Sequence, residues 1–166
     1  MAISVNGVIA REDNEEDFLS HDNWNTLVKL AHKTGCMIWG RKTYEIVGRW
    51  DKQYLDDIKD VKKVVVSNDP RVSLENGYLL ARSPKEALDM LRKRGFNKVI
   101  LSGGSTLNSS FAEEGLINEI VLNTEPVVVG EGIPLFSPRN FDLKLKLLQI
   151  KKINKRIIQL HYKVVK

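Results

Sequence analysis

Short runs of apolar and β-branched residues alternate with segments of helical spacing along most of this 166-residue chain. Strands are predicted for "CMIWG", "VKKVVVS", "GYLLA" and "KVILS", with helices between them. Strands joined by helical crossovers lie parallel, so the alternation predicts an α/β fold with a mostly parallel central sheet and helices on both faces. Two alternating strands joined at "NK" predict an antiparallel C-terminal hairpin.

Helix ends are marked by residues that satisfy free backbone groups. The clearest helix has Ser83 as N-cap, Pro84 at its first position and Gly95 just past its end. An earlier helix covers "WNTLVKLAHKT", and Asp22 or Asn23 is the predicted N-cap.

Composition limits the class of protein. With 166 residues, 42% of them hydrophobic, we expect one domain covering residues 1–166. The single cysteine, Cys36, lies in an apolar run, which favours a core residue and excludes a disulfide within the chain. No apolar stretch approaches about 18 residues, so we expect a soluble, cytoplasmic protein without a membrane partner.

Basic residues are spread along the chain. The net charge of +5 is compatible with nucleic acid or with small anions. The basic residues show no interleaved aromatic residues of the kind that stack on bases, so nucleic-acid binding is not expected. The three histidines, His21, His32 and His161, have no metal-ligand spacing, and no metal site is predicted.

Three predicted strands end in turns suited to an anion. "IWGRKT", "VVSND" and "LSGGST" all place glycine, hydroxyl or basic residues at the carboxyl end of a strand. Ligands of open α/β sheets bind at that edge, and a glycine turn before a helix brings free N–H groups close to a phosphate. Neither the GxGxxG nor the GxxxxGK[ST] motif is present. The three turns together predict a site for a nucleotide with several phosphates.

These segments also carry a family resemblance. "MIWGRKTYE" resembles the Gly-Arg-x-Thr motif of dihydrofolate reductases, and "ILSGGSTL" resembles their Gly-Gly motif. "GLINEIVLNTEPVVVGEGIPLF" is more similar to the reductase domain of riboflavin-biosynthesis enzymes, the RibD C-terminal domain family, and to its single-domain relatives. The chain is therefore identified as a member of the dihydrofolate reductase-like superfamily, and the resemblance implies that superfamily's three-layer fold.

The resemblance implies a reductase that uses NADPH. It assigns the pyrophosphate and the 2′-phosphate to Gly40, Arg41, Lys42 and Thr43, and the pyrophosphate also to Gly103, Gly104, Ser105 and Thr106. It assigns the adenosine side to Ser67 and Asn68, with Arg82 near the adenine. It assigns backbone contacts to the nicotinamide to Ile9 and Ala10.

The substrate side departs from both branches of the superfamily. The "L-P-W" that precedes the catalytic acid of dihydrofolate reductases is missing here. Asp22 is the best-placed acid for protonating the substrate, and a helix cap is its alternative role. Glu16 and Asp17 are weaker candidates. Asn6 stands where riboflavin-type reductases usually carry an Asp, and it is a predicted substrate contact together with Asp22.

The substrate therefore has two nearly equal candidates. Reduction of a 5-amino-6-(5-phosphoribosylamino)uracil-type pyrimidine in riboflavin synthesis ranks slightly ahead, because "GEGIPLF" belongs to a longer matching segment. Reduction of dihydrofolate to tetrahydrofolate is favoured by "GRKTYE". A non-catalytic nucleotide-binding module ranks third.

The C-terminal strands predict a homodimer. They carry more apolar residues than one face of one sheet needs, and apolar edge strands are usually covered. The resemblance to riboflavin-type reductases implies pairing through these strands. Alternatively, Leu143, Leu145, Leu147 and Ile150 face the core of the same chain.

Overall fold

The computed structural model describes residues 1–165 of the protein. Within them the helices are α1 (His21–Thr34), α2 (Arg41–Val47), α3 (Lys52–Asp56), α4 (Pro84–Arg92) and α5 (Ser105–Glu113). The strands are β1 (Ala2–Ser4), β2 (Val8–Ala10), β3 (Cys36–Gly40), β4 (Lys62–Val66), β5 (Tyr78–Ala81), β6 (Ile100–Leu101), β7 (Glu119–Glu125), β8 (Ile133–Pro134), β9 (Lys144–Lys152) and β10 (Ile158–Val165).

The chain divides into two compact units. Residues 26–107 form one, called here the contiguous unit. Residues 1–25 and 108–165 form the other, called the split unit. The boundaries fall within α1 and within α5.

The contiguous unit contains a four-stranded parallel sheet in the order β5-β4-β3-β6. Its two central strands meet through apolar residues: Met37, Ile38, Val64 and Val65 are fully buried. Parallel strands covered on both faces are rich in apolar residues of this kind. Cys36 is also fully buried, and burial raises the pKa of its thiol to about 11, as expected for a core residue.

The split unit contains a four-stranded sheet in the order β1-β7-β10-β9. β1 pairs parallel to β7, and the other two pairings are antiparallel. β9 and β10 form the predicted C-terminal hairpin. β2 and β8 pair antiparallel in a separate two-stranded sheet. The α/β class, the parallel sheet and the hairpin confirm the predicted fold, with the strands distributed over three sheets.

The structure confirms one predicted helix cap and contradicts another. Ser83 Oγ accepts a hydrogen bond from the Glu86 N–H at the start of α4, as predicted for an N-cap. The predicted cap of α1 is wrong: the helix begins at His21, so Asp22 and Asn23 lie inside its first turn. The Asn23 N–H instead donates to the Ser20 carbonyl oxygen. α3 was not predicted, because five residues are too few to show a helical period.

Candidate functional site

The three predicted anion turns lie at one edge of the parallel sheet. β3 ends at Gly40, β4 is followed by Ser67, and β6 is followed by Ser102 and the two glycines. β3 lies between β4 and β6, so its carboxyl end lies beside both of theirs. The structure thus brings these segments together, as the sequence predicted.

The turns after β3 and β6 contact each other through their backbones. The Gly40 N–H donates to the Gly103 carbonyl oxygen at 2.8 Å. A Cβ at Gly40 would lie 3.6 Å from the Gly104 nitrogen, and one at Gly104 would lie 3.4 Å from Thr43 Oγ1. Gly103 has a φ of +92°, which side chains rarely adopt, and the bond between Gly103 and Gly104 is cis. Backbone therefore lines this part of the edge, and α5 begins directly afterwards at Ser105, whose neighbour Thr106 lies in its first turn.

Positive charge borders the same edge. Arg41 is the first residue of α2, and its guanidinium pairs with the Glu45 carboxylate at 2.7 Å. Lys42 is exposed. Ser67 is buried and its Oγ accepts from the Asp69 N–H, whereas Asn68 is exposed.

Arg82 fixes the loop after β4. Its Nη1 donates to the carbonyl oxygens of Ser67 and Asp69 at 3.0 and 2.8 Å. The carboxylate of Asp69 pairs with Arg71, which is the main reason that the pKa of Asp69 is lowered. Arg71 was not singled out from the sequence, although it follows the predicted "SND" turn by two residues. A polar cavity of about 170 Å³ lies beside it, lined by Arg41, Tyr44, Glu45, Asp69, Arg71, Val72 and Ser73.

In the split unit, both polar groups of the Asn6 side chain form hydrogen bonds within the same unit. Its Nδ2 donates to the Val129 carbonyl oxygen, and its Oδ1 accepts from the Val129 N–H and from Ser4 Oγ. Ile9 and Ala10 are buried in β2, in an apolar cluster with Ile3.

The candidate acids lie in different environments. Asp22 is exposed and its Oδ2 accepts from Asn154 Nδ2 in the turn between β9 and β10. Asp17 is exposed and pairs with Arg11 at 2.6 Å, which lowers the pKa of its carboxyl. Desolvation first, and the nearby Glu15 carboxylate second, raise the pKa of Glu16 to about 7, although its side chain keeps exposed surface.

A buried carboxylate on β7 was missed by the sequence reasoning. Glu125 is 2% exposed, and its Oε1 accepts from the Ser20 N–H at 2.8 Å and from Asn23 Nδ2 at 2.7 Å. Asn23 Oδ1 accepts from Asn123 Nδ2, whose Oδ1 accepts from Gln159 Nε2. The only trace in the sequence is an acid directly before Pro126 at the end of an otherwise apolar strand.

Two absences hold for the described part of the chain. Residues 1–165 contain no group of three or more His, Cys, Asp and Glu side chains that could hold a metal ion. No helix among them is long and apolar enough to span a membrane.

The fold and the glycine-lined sheet edge define an α/β protein of the dihydrofolate reductase-like class. A family model for the RibD C-terminal domain matches residues 1–159, and the chain belongs to this family. The family is one of reductase domains, which places the protein among the oxidoreductases. The predicted family is thereby confirmed.

Two relatives align with nearly the whole chain. The uncharacterized protein YwjB of Bacillus subtilis (strain 168) is 28% identical over 166 residues, which cover 98% of this chain and 94% of that protein. A protein of Shewanella sp. PV-4, provisionally described as a riboflavin biosynthesis protein, has a similar structure with a TM-score of 0.82. It is 24% identical, and the alignment covers 100% of this chain and 97% of that one.

A longer enzyme shares the fold over about half of its length. It is the diaminohydroxyphosphoribosylaminopyrimidine deaminase/5-amino-6-(5-phosphoribosylamino)uracil reductase of Thermotoga maritima. The TM-score is 0.71 at 13% identity, and the alignment covers 99% of this chain and 55% of that one. At these identities the two structural likenesses show the shared fold.

Proposed function

We propose that the protein is an NADPH-dependent reductase that transfers hydride to a pyrimidine of the 5-amino-6-(5-phosphoribosylamino)uracil type. The observation that carries this proposal is the backbone contact between Gly40 and Gly103 at the edge of the parallel sheet. Glycines meet at this contact, so no side chain there keeps a ligand away from the backbone, and the family is one of reductase domains. When bound, NADPH supplies the hydride.

The contiguous unit offers the groups that such a cofactor needs. Gly40 and Gly104 lack the Cβ atoms that would fill the space beside their backbone, Gly103 has a positive φ, and Ser105 and Thr106 supply N–H groups at the start of α5. Arg41, Lys42 and Thr43, with Ser67 and Asn68, are proposed to hold the phosphates and the adenosine side. Arg82 keeps the β4 loop in position through Ser67 and Asp69. In the split unit, the Ile9 and Ala10 backbone is proposed to contact the nicotinamide.

Dihydrofolate is the second candidate substrate. The Gly-Arg-Lys-Thr sequence at the start of α2 favours it, because dihydrofolate reductases carry a similar motif. The proposed proton donor for either substrate is Asp22, with Asn6 as a further substrate contact.

The proposal is tested by mixing the protein with NADPH and following the loss of nicotinamide absorbance. The riboflavin-pathway pyrimidine and dihydrofolate are offered in parallel. Turnover of the pyrimidine supports the main proposal, and turnover of dihydrofolate alone supports the second candidate. Tight binding of NADPH without turnover of either substrate would instead indicate a nucleotide-binding module.

Cofactor preference depends on Arg41 in this proposal. We expect Arg41→Ala to raise the KM for NADPH much more than the KM for NADH, because charge-assisted contacts to the 2′-phosphate contribute roughly 1–3 kcal/mol. Steady-state kinetics with both cofactors measures the difference. Glu45→Gln is the matched control: it removes the partner of Arg41 and leaves the cation, so the KM for NADPH should stay equal or fall. Equal effects of Arg41→Ala on both cofactors would contradict the assignment.

We also propose a homodimer formed through the C-terminal hairpin. β9 is an edge strand, and all nine of its residues are exposed. Leu145, Leu147 and Ile150 lie on one face of it, 43%, 46% and 61% exposed. These three residues therefore do not fill the core of the chain, and an apolar edge of this kind favours pairing with a second copy.

Ile150→Asp is expected to convert this dimer to a monomer, because a carboxylate cannot be buried unpaired between two copies. Light scattering at micromolar concentration should give twice the 18.9 kDa mass of one chain for the original protein and once that mass for the variant. Lys146→Asp, on the opposite face of the same strand, should leave the dimer intact. A single-chain mass for the unchanged protein would contradict the dimer.

A further inference from the structure

Within residues 1–165, only one of the two carboxylate oxygens of the buried Glu125 has hydrogen-bond partners. Oε1 accepts two hydrogen bonds, from Ser20 N–H and Asn23 Nδ2. Within the described residues, Oε2 has no hydrogen-bond partner, and Glu125 forms no ion pair. Every fully buried side-chain N or O atom among those residues has a partner, so Oε2 is the atom through which this nearly buried residue remains accessible.

The amides around Glu125 have a fixed direction. A carboxylate cannot donate, so Asn23 must turn its NH₂ group toward Oε1 and its carbonyl oxygen away. That oxygen accepts from Asn123 Nδ2, and Asn123 Oδ1 accepts in turn from Gln159 Nε2. All three amides thus donate in sequence toward the carboxylate, and each bond polarises the next.

This arrangement stabilises a negative charge without a cation. Burial of an isolated carboxylate is costly, but hydrogen bonds from Ser20 and from the amide series offset part of that cost. Ser20 directly precedes the 14-residue helix α1, whose N-terminal end also favours a negative charge. What remains unmatched is Oε2, an acceptor that can be satisfied by an N–H donor from outside the chain.

We propose that Glu125 Oε2 accepts a hydrogen bond from a ring N–H of the heterocyclic substrate. The assignment rests on the proposed function, since it requires a heterocycle reductase. It gives the substrate a defined chemistry: a pyrimidine-type ring that presents at least one N–H. Asp22, the proposed proton donor, precedes Asn23 in α1, so the amide series that holds Glu125 also fixes the turn that carries Asp22.

The sharpest variant is Glu125→Gln. The Ser20 and Asn23 donors require an acceptor at the Oε1 position, so the new side chain keeps its carbonyl oxygen there and presents its NH₂ group where Oε2 was. The fold and the amide series are retained, while an acceptor facing the ligand becomes a donor. Glu119→Gln is the matched control, because Glu119 lies on the same strand and is exposed.

The probe is 5,6-diaminouracil, titrated calorimetrically into the protein, with 5,6-diamino-1,3-dimethyluracil as an analogue whose ring N–H groups are methylated. We expect Glu125→Gln to bind diaminouracil about 10- to 100-fold more weakly, the range for a lost hydrogen bond to a charged group. Its affinity for NADPH and its melting temperature should stay near those of the original protein. Glu119→Gln should change neither affinity.

The unchanged protein should also bind the dimethyl analogue at least about 10-fold more weakly than diaminouracil. This comparison needs no variant, so it decides the assignment even if Glu125→Gln fails to fold. Equal binding of diaminouracil by the original protein and a folded Glu125→Gln, or equal binding of the two pyrimidines, overturns the role of Glu125 and leaves the proposed reductase intact. An unchanged protein that neither binds nor reduces a heterocycle overturns both.

Discussion

Replacement of Gly132 by alanine is expected to lower the melting temperature of the protein by about 5–10 °C. A Cβ at this position would lie 2.6 Å from both the Ala10 carbonyl oxygen and Val8 Cγ1. The first of these is backbone and cannot rotate away, so β2 and β8 must move apart. Overpacking of this kind costs about 1–3 kcal/mol, and a domain of this size loses about 2–4 °C per kcal/mol.

Gly130 provides the matched control for this experiment. It belongs to the same "GEG" sequence, but a Cβ there would meet no atom within 4 Å. Gly130→Ala should therefore shift the melting temperature, measured by circular dichroism, by only about 1–2 °C, the range of a surface change. Similar melting temperatures for the two variants would show that β2 and β8 are not packed as described. Because Ala10 is a proposed nicotinamide contact, Gly132→Ala should also reduce turnover.

Asp22→Asn is expected to slow turnover by about 10²-fold or more if Asp22 delivers the proton to the substrate. The substitution keeps an oxygen that can accept from Asn154, so the contact between α1 and the hairpin turn is preserved. It removes the negative charge and the capacity to exchange a proton. The affinity for NADPH, measured by fluorescence titration, should stay nearly unchanged.

Two companion variants separate the possible roles of the acids. Asn154→Ala removes one hydrogen-bond partner of Asp22 and keeps the acid, so it should slow turnover much less than Asp22→Asn. Glu16→Gln tests the acid whose pKa is raised to about 7. Normal turnover of Asp22→Asn with a lowered melting temperature would identify a structural role in the first turn of α1, and loss of turnover in Glu16→Gln alone would transfer the proton delivery to Glu16.

Much of the fold could be predicted because local and global preferences agree along the chain. α4 was readable from Ser83, Pro84 and Gly95, each of which acts through its own backbone chemistry. The parallel sheet was predictable from the apolar strand β3 and from the valine run of β4. α3, β2 and β8 were not predicted, because these short elements lie in segments with no clear apolar period of their own.

The candidate site divides in the same way. The turns at Gly40 and Gly103 were predicted because glycine after a strand marks a turn. Their position at one edge of the sheet was predicted because the strands before them are parallel. The environment of Glu125 was not predictable, because its two hydrogen-bond donors, Ser20 and Asn23, lie more than 100 residues away from it in the sequence. No pattern in a single chain tells a buried acid from an exposed one when its partners are neutral amides.

The division of the chain into a contiguous and a split unit has a consequence for how such proteins diversify. The residues proposed to hold the phosphates and the adenosine side, from Gly40 to Thr106, occupy one uninterrupted stretch of the coding sequence, and the carboxylates Asp22 and Glu125 lie on either side of it. A single exchange of that stretch between two genes would transmit a cofactor preference and leave the recipient's acids in place. The cofactor preference and the set of acids can therefore be inherited separately.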